Sequence, residues 1–546
     1  GTKVNRMLKS LFFILLSFGL CVSITVKTKL GEIKGGERKS RDGKTYYAFT
    51  SIPYAKPPVG KLRFKNPVHV DPWKEVLDAT KDLPLCTQVL MYEHFSRNET
   101  LGQEDCLYLS VYTPDLKPKE KLAVLVQTHG GGFRCGNAGP RDSADYLMDG
   151  DVILVNIHYR LGTLGFLSTE DRIIPGNFGL KDQSLGLHWV KENIKFFGGD
   201  DEKITVFGES AGGASAHYHL ISPLSKSILR GAISQSGVVN RMWSAGAPGK
   251  ARLQAERVAE IVGCGGKKDE ELLDCLQNIC PVKLIRAELD FLYWDFDPAV
   301  VFRPVREPLA EGAFLPFDPL KQETTLPWMT GIVSNEGAFR TASLKSQGDS
   351  AAQQFIDNMD VYLMRLLSLE ESCPKAKATV ELIKEKYFPE PVTLESALNG
   401  LEILFTDSYF VYPMGDALRR HKGPLYQYFY DYRAGSSYTD LYGDFGDLGV
   451  CHVDDLFTLF NFKEFFPKTK PDEEQVSRTM VRLWTNFAKY QKPTTEDDEV
   501  EWPKYDSLGR YLHITSDLTV KRHLKADVID WWFKLPVFSS YESQKN

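Results

Sequence analysis

Short apolar runs alternate with longer amphipathic stretches along most of the chain. Residues 122–126, 152–157, 204–207, 329–333 and 425–430 are rich in Val, Ile or aromatic residues, and most are bounded by Gly, Asp or Pro. Runs of that length with turn formers at their ends predict buried strands. Between them, residues 182–196 place Leu185, Trp189, Val190 and Ile194 on one helical face, and 251–262, 353–367 and 474–490 have the same spacing. Strands alternating with helices predict an α/β protein whose mostly parallel sheet is covered on both faces. The excursions 240–325 and 340–400 are helical and aromatic rather than strand-like, as expected of insertions that roof a cleft at one end of the sheet. No repeat, low-complexity block or Gly/Ser linker divides the chain.

Composition narrows the class. At roughly 150 residues per domain, 546 residues suggest several domains, although large α/β enzymes run longer as one unit. An apolar fraction of 42% excludes disorder as the overall state. The balance of 66 Lys+Arg against 72 Asp+Glu, net −6, with no basic segment standing out, argues against a nucleic-acid partner. No apolar stretch reaches the length of about 18 residues that a spanning helix needs, so no stable membrane anchor is expected.

The strongest apolar run, 11–22, follows Met7 and Lys9 and exits through small residues at Cys21 and Ser23. A short basic region, a roughly 12-residue apolar core and a small-residue exit predict a secretory signal peptide over 7–23. Residues 1–6 are then leader residues, the mature chain is 24–546, and the destination is extracellular. Nine cysteines less Cys21 leave eight with no C-x-x-C pair, so a zinc or redox motif has little support. Two close pairs, 86/106 and 264/275, stand out as short loops. Asn98-Glu99-Thr100 is a glycosylation sequon inside the first of them.

Chemistry concentrates at Gly208-Glu209-Ser210-Ala211-Gly212, where a predicted strand meets a helix-like segment from Ala214 to Leu220. A serine on such a sharp turn presents its hydroxyl at a helix N-terminus, and glycines two residues away keep side chains out of the neighbouring backbone. A nucleophilic serine needs donors for an oxyanion. His129-Gly130-Gly131-Gly132, just after the strand at 122–126, points to the N–H groups of Gly131, Gly132 and Ala211.

In this architecture the acid and then the histidine follow the serine. His217 and His219 sit on the helix after the nucleophile, too close to return over it. His421 follows Arg419-Arg420 and reads as solvated; His513, in a strand-like segment, and His523, in a basic run, read as surface or packing residues. His452, in a glycine-initiated loop before an apolar stretch, suits a projecting base. For the acid, Glu336 directly follows a predicted strand, where sheet enzymes place catalytic groups; Asp407 and Asp455 are the alternatives.

These residues resemble the type-B carboxylesterases, the cholinesterase-like branch of the α/β-hydrolase fold. The segment from Phe197-Gly198-Gly199-Asp200 to Gly212 is similar to the family's serine signature, and Glu104-Asp105-Cys106-Leu107-Tyr108-Leu109 to its second signature. Asn156-Ile157-His158-Tyr159-Arg160 and Gly176-Asn177-Phe178-Gly179 resemble further family blocks, so the likeness extends over about residues 25–535. It implies Ser210, Glu336 and His452 as a triad, Gly131, Gly132 and Ala211 as oxyanion donors, and disulfides Cys86–Cys106 and Cys264–Cys275. It also implies one catalytic domain with inserted helices, and a reaction that needs no metal or cofactor.

Within the family, members that capture choline carry a tryptophan in the first disulfide loop; 86–106 has Tyr92 and Phe95 but no tryptophan. Neuroligin-like adhesion members lack a working triad, whereas here each position is filled. Juvenile hormone esterases resemble G-Q-S-A-G, and Glu209 departs from that. The chain looks most like a secreted insect carboxylesterase acting on small to medium hydrophobic esters, such as odorant, dietary or xenobiotic esters. A juvenile hormone esterase, a slow ester- or organophosphate-sequestering protein and an adhesion module are the alternatives. Glu209, Ser236 and Asp407 are candidates for a supporting network around the triad. Phe133, Trp243, Phe291, Trp294 and Phe410 are candidates for lining the cleft, and Cys451 reads as a packed thiol.

Overall fold

The predicted apolar runs all become strands of one sheet. The computed structural model describes residues 24–90, 99–137, 143–370 and 372–542; the segment 1–23, with its expected leader and signal peptide, and Asn98 lie outside the described residues. In chain order the strands are β1 (Ile24–Lys27), β2 (Glu32–Lys39), β3 (Thr45–Pro53), β4 (Leu77–Asp78), β5 (Gln88–Val89), β6 (Thr100–Leu101), β7 (Tyr108–Thr113), β8 (Leu122–Thr128), β9 (Ile153–Ile157), β10 (Gly199–Glu209), β11 (Gly231–Gln235), β12 (Trp328–Val333), β13 (Leu425–Tyr430), β14 (Arg510–Ile514) and β15 (Leu518–Arg522). They form a 13-stranded sheet in the order β1-β2-β3-β7-β9-β8-β10-β11-β12-β13-β14-β15, with β4 beside β2.

From β9 to β14 each neighbouring pair is parallel, and the pairs outside that run along the main order are antiparallel. Strand β8 leads to β9 on one side and to β10 on the other, so the order reverses there. Open α/β sheets leave a crevice beyond the strand ends at such a point.

The helices that follow are α1 (Gly162–Phe166), α2 (Phe178–Asn193), α3 (Ala211–Ile221), α4 (Lys250–Val262), α5 (Asp269–Gln277), α6 (Pro281–Arg286), α7 (Ala338–Ser346), α8 (Asp349–Asp357), α9 (Met359–Leu366), α10 (Pro374–Tyr387), α11 (Leu394–Phe405), α12 (Tyr412–Arg420) and α13 (Glu473–Tyr490). Successive side chains alternate across a strand, so the central strands feed a core on each face of the sheet. Val124 and Val126 of β8 join the core that holds Trp189 and Val190 of α2 and Ala214 and Tyr218 of α3. Ala123 and Leu125 join the opposite core, where α13 contributes Met480, Trp484 and Phe487.

Local expectations differ from the structure in a few places. The helix expected over 353–367 is two, α8 and α9, because Asn358 leaves helical geometry at φ −130, ψ 30. Strand β11 and the antiparallel strands β1–β3 and β7 were not among the predicted runs; β2, for example, reads Glu-Ile-Lys-Gly-Gly-Glu-Arg-Lys. His421 is not solvated: it is buried against the Trp328 ring at 5.3 Å, and burial lowers its pKa to about 4. The charged residues before it misled, since Arg420 is also buried and donates from Nη2 to Val239 O at 2.9 Å. Cys86–Cys106 and Cys264–Cys275 are disulfides, as the family resemblance implied.

One buried ion cluster braces the insertions. Arg340 of α7 is fully buried and pairs with Asp295 at 3.0 Å and with Asp297, its guanidinium lying 3.8 Å from the Phe296 ring centroid. Asp295 also accepts from Ser343 Oγ at 3.0 Å and Gln347 Nε2 at 2.8 Å. Removing one partner of such a cluster leaves charge buried without compensation, at a cost of about 3–5 kcal/mol. Urea unfolding of Arg340→Met is therefore expected to show a stability loss of about that size; a loss within about 0.5 kcal/mol, typical of a surface site, would mean the cluster is not a brace.

Candidate active site

Strand β10 ends at Glu209, and Ser210 stands between it and α3 with φ 58 and ψ −122, a conformation that non-glycine residues avoid. The surroundings hold it there. Ser210 N donates to Gln235 O at 2.8 Å and Ala214 N to Ser210 O at 2.9 Å. A Cβ on Gly208 would lie 2.3 Å from Thr128 O, and one on Gly212 2.0 Å from the same oxygen. Both glycines of the motif are thus required by the approach of β8, as the sequence pattern predicts.

The glycine loop after β8 passes directly beside this turn. A Cβ on Gly130 would meet Glu209 O at 2.7 Å and Ser210 Cβ at 3.2 Å, and Gly131, at φ 100, has Cys135 O where a Cβ would go. Gly131 O accepts from Arg134 N and Cys135 N, which curls the loop. His129 anchors it. Its ring stacks on Tyr159 at 4.4 Å, its Nδ1 lies 2.8 Å from Gly130 O, and its backbone oxygen accepts from Tyr159 OH at 2.7 Å. Burial lowers the pKa of His129 to about 3, so the ring is neutral and Nδ1–H is the donor to Gly130 O. Gly131 and Gly132 line the cavity beside Ser210, and Ala211 opens α3, where N–H groups lack intrahelical acceptors.

Glu336 follows β12 and His452 follows a loop pinned to it: Asn335 N donates to Val450 O at 2.9 Å, and Gly449, at φ 87, leaves room for the Asn335 side chain. The two ionisable groups meet. His452 Nδ1 lies 2.6 Å from Glu336 Oε2, whose other oxygen accepts from Val333 N at 3.0 Å. The other ring nitrogen, Nε2, is 3.0 Å from Glu209 Oε1 without the alignment of a hydrogen bond. Among the described residues Ser210 Oγ makes no hydrogen bond, and Ser210, Glu209 and His452 line one cavity.

Electrostatics follow from burial. Burial alone would push the His452 pKa down, but Glu209 and Glu336 outweigh it, and the imidazolium is favoured. Burial raises Glu209. Of the alternative acids, Asp455 accepts from Gln235 Nε2 at 2.8 Å and Tyr428 OH at 3.2 Å, and is raised to about 7 by burial and then by Glu209. Asp407 accepts from Tyr387 OH at 2.9 Å. Neither takes the place of Glu336 on His452. Ser236 Oγ has no hydrogen-bond partner among the described residues. Cys451 is a buried thiol whose pKa burial raises, consistent with packing.

The cavity at these residues holds about 110 Å³ and is lined by Trp243, Ala299, Val300, Phe339, Tyr409, Phe410, Tyr438 and Val453 beside the polar groups. Trp243 and Phe410 were expected there; Phe133, Phe291 and Trp294 instead pack on Phe166, Phe302 and Phe355. Sequence reasoning missed Tyr409 and Phe339. A π-helix, Thr406–Val411, joins α11 to α12 and turns Phe410 to within 4.7 Å of the His452 ring, while Tyr409 O accepts from Trp243 Nε1 at 2.8 Å. Such insertions often mark functional sites, and a one-residue excess in a helix has no local sequence signature.

A central parallel sheet whose strand–turn–helix presents a serine beside a glycine loop defines the α/β-hydrolase fold. The chain belongs to the carboxylesterase family, whose model it matches over residues 22–532, and it is a carboxylic ester hydrolase. It is 37% identical to juvenile hormone esterase of Tribolium castaneum over 497 residues, covering 86% of this chain and 84% of that protein. It is 34% identical to venom carboxylesterase-6 of Apis mellifera over 534 residues, 94% of each. The crystal structure of juvenile hormone esterase from Manduca sexta, with OTFP covalently attached, matches with a TM-score of 0.83 at 28% identity, covering 94% of this chain and 99% of that one.

The charge arrangement yields a direct expectation. Changing Glu209 to Gln removes one of the two anions that favour the imidazolium, so the His452 pKa must fall. Histidine-labelled NMR titration should place it above the ordinary value near 6.5 in the parent and lower in Glu209→Gln. An unchanged value would mean that Glu209 does not act on the ring.

Proposed function

We propose that this protein hydrolyses small to medium hydrophobic esters through a serine acyl-enzyme, with Ser210 as nucleophile, His452 as base and Glu336 as the acid that orients it. The observation that carries the reading is the 2.6 Å contact from His452 Nδ1 to Glu336, with His452 lining the same cavity as Ser210. In the first half-reaction neutral His452, formed once the imidazolium favoured at rest has released its proton to solvent, takes the Ser210 proton as Oγ bonds to the ester carbonyl carbon. It then gives that proton to the departing alcohol as the C–O bond breaks. Glu336 holds Nδ1–H in place and stabilises the imidazolium. The N–H groups of Gly131, Gly132 and Ala211 face the developing oxyanion, a contribution of about 10²–10³ in turnover for a single donor. Water repeats the sequence on the acyl-enzyme and releases the acid.

The lining favours apolar substrate groups, since Trp243, Val300, Phe339 and Phe410 surround the serine. Odorant, dietary or xenobiotic esters fit that description. A juvenile hormone esterase is the second reading, supported by the likeness to two proteins of that name despite Glu209. We place the protein outside the cell: the apolar segment 7–23 reads as a signal peptide, and two disulfides suit an oxidising compartment. No described helix is long and apolar enough to cross a membrane. Asn98 is the proposed glycosylation position.

Burst and steady-state hydrolysis of p-nitrophenyl esters of increasing acyl length tests the mechanism. Sustained turnover that falls at least about 10⁴-fold in Ser210→Ala is expected, with an optimum that sizes the acyl site. A single-equivalent burst followed by negligible turnover points to a sequestering protein. No burst and no turnover point to an adhesion role on the same scaffold.

A further inference from the structure

A second, larger cavity lies directly behind the wall of the first. It holds about 600 Å³ and is lined by Ala247 and Lys250 at its rim, and by Val300, Val301, Arg303 and Leu369 among its walls. Val300 borders both cavities. The wall segment is held from both sides: Arg134 Nη1 donates to Pro298 O at 2.9 Å and Ala299 O at 3.2 Å, and Gln254 Nε2 donates to Val301 O at 2.8 Å.

Of the two cations lining this cavity, Arg303 lacks a carboxylate partner. Among the described residues Arg303 pairs with no carboxylate, and its side-chain contacts are two long ones, Nε to Val300 O at 3.5 Å and Nη2 to Ser368 Oγ at 3.4 Å. Burial works against its charge. A guanidinium presents five donors in a fork that matches a carboxylate, so most of its capacity is unused. Lys250 at the rim is not equivalent, because Glu370 pairs with it at 3.2 Å. A half-buried arginine with no carboxylate partner, in a cavity where Val300, Val301, Val305 and Leu369 stand beside the polar Gln254, Ser368 and the Lys250-paired Glu370, is complementary to an oxyanion on an aliphatic tail.

We infer that this outer cavity binds a carboxylate-bearing amphiphile, with the carboxylate on Arg303 and the chain along Val300, Val301 and Leu369. The chemistry matches the free acid that ester hydrolysis releases one residue's thickness away, so the cavity would hold product acid clear of Ser210. The identification of the acid as product rests on the esterase reading above; the binding site does not.

Calorimetric titration of the full-length protein with dodecanoate tests it, beside Arg303→Gln, Arg303→Lys and Ala247→Trp. Ala247 is exposed, so its replacement fills the cavity mouth without touching the core. Dodecanoate affinity should fall about tenfold or more in Arg303→Gln and in Ala247→Trp, and largely return in Arg303→Lys. Hydrolysis of p-nitrophenyl butyrate should stay within about twofold of the parent in each, as expected if the wall and the triad are undisturbed. Equal dodecanoate affinity in the parent, Arg303→Gln and Ala247→Trp overturns the inference, as does binding of dodecyl phosphate alone. Arg303-dependent binding without ester turnover in the parent would leave this site standing and remove the esterase reading.

Discussion

The carbonyl of Thr128 and the turn after β10 approach each other so closely that neither Gly208 nor Gly212 has space for a Cβ. That contact brings the ends of two adjacent parallel strands together, one carrying the serine and the other the glycine loop. It also explains the backbone at Ser210. A positive φ with extended ψ is costly for serine and persists only where neighbours impose it; here Gln235 O and the first turn of α3 do so from opposite sides. Ser210 is positioned by backbone packing, and its hydroxyl makes no hydrogen bond among the described residues.

Around that turn the protein has buried three carboxylates, Glu209, Glu336 and Asp455, near one histidine. In a low-dielectric interior an isolated anion is expensive, so each must be paired, hydrogen-bonded or neutral. Glu336 satisfies this through Val333 N and His452, Asp455 through Gln235 and Tyr428, and Glu209 through its nearness to His452 Nε2. In the proposed mechanism the same nitrogen must face Ser210 Oγ for proton transfer. Glu209 therefore both stabilises a charged ring and competes with the serine for it. This tension belongs to a resting site, and catalytic contacts commonly tighten only when substrate arrives.

Much of this was legible in the sequence because strict local requirements write themselves into residue type. Glycines at 208 and 212, the run 130–132, and an acid just past a predicted strand are such requirements. The parallel strands were legible because burial on both faces makes them continuously apolar. The largely exposed margin strands β1 and β2 lack that signal, and β11 is short, opening on Gly and closing on Ser-Gln. The lining of the cavity was least legible. Trp243, Val300, Phe339 and Phe410 come from four separate segments, and an aromatic on the cavity wall looks the same in sequence as Trp294, which packs on Phe355. His421 failed for a related reason: its charged neighbours suggested solvent, but tertiary packing closed over it.

The central claim is that Ser210 is the one nucleophile activated by its surroundings. Incubating the protein with a reactive organophosphate and locating the adduct by peptide mass spectrometry tests this without assuming any natural substrate. The account predicts one phosphoryl group per chain, on Ser210, formed in step with loss of ester hydrolysis. An adduct on another residue, or full modification of Ser210 with hydrolysis retained, would contradict it.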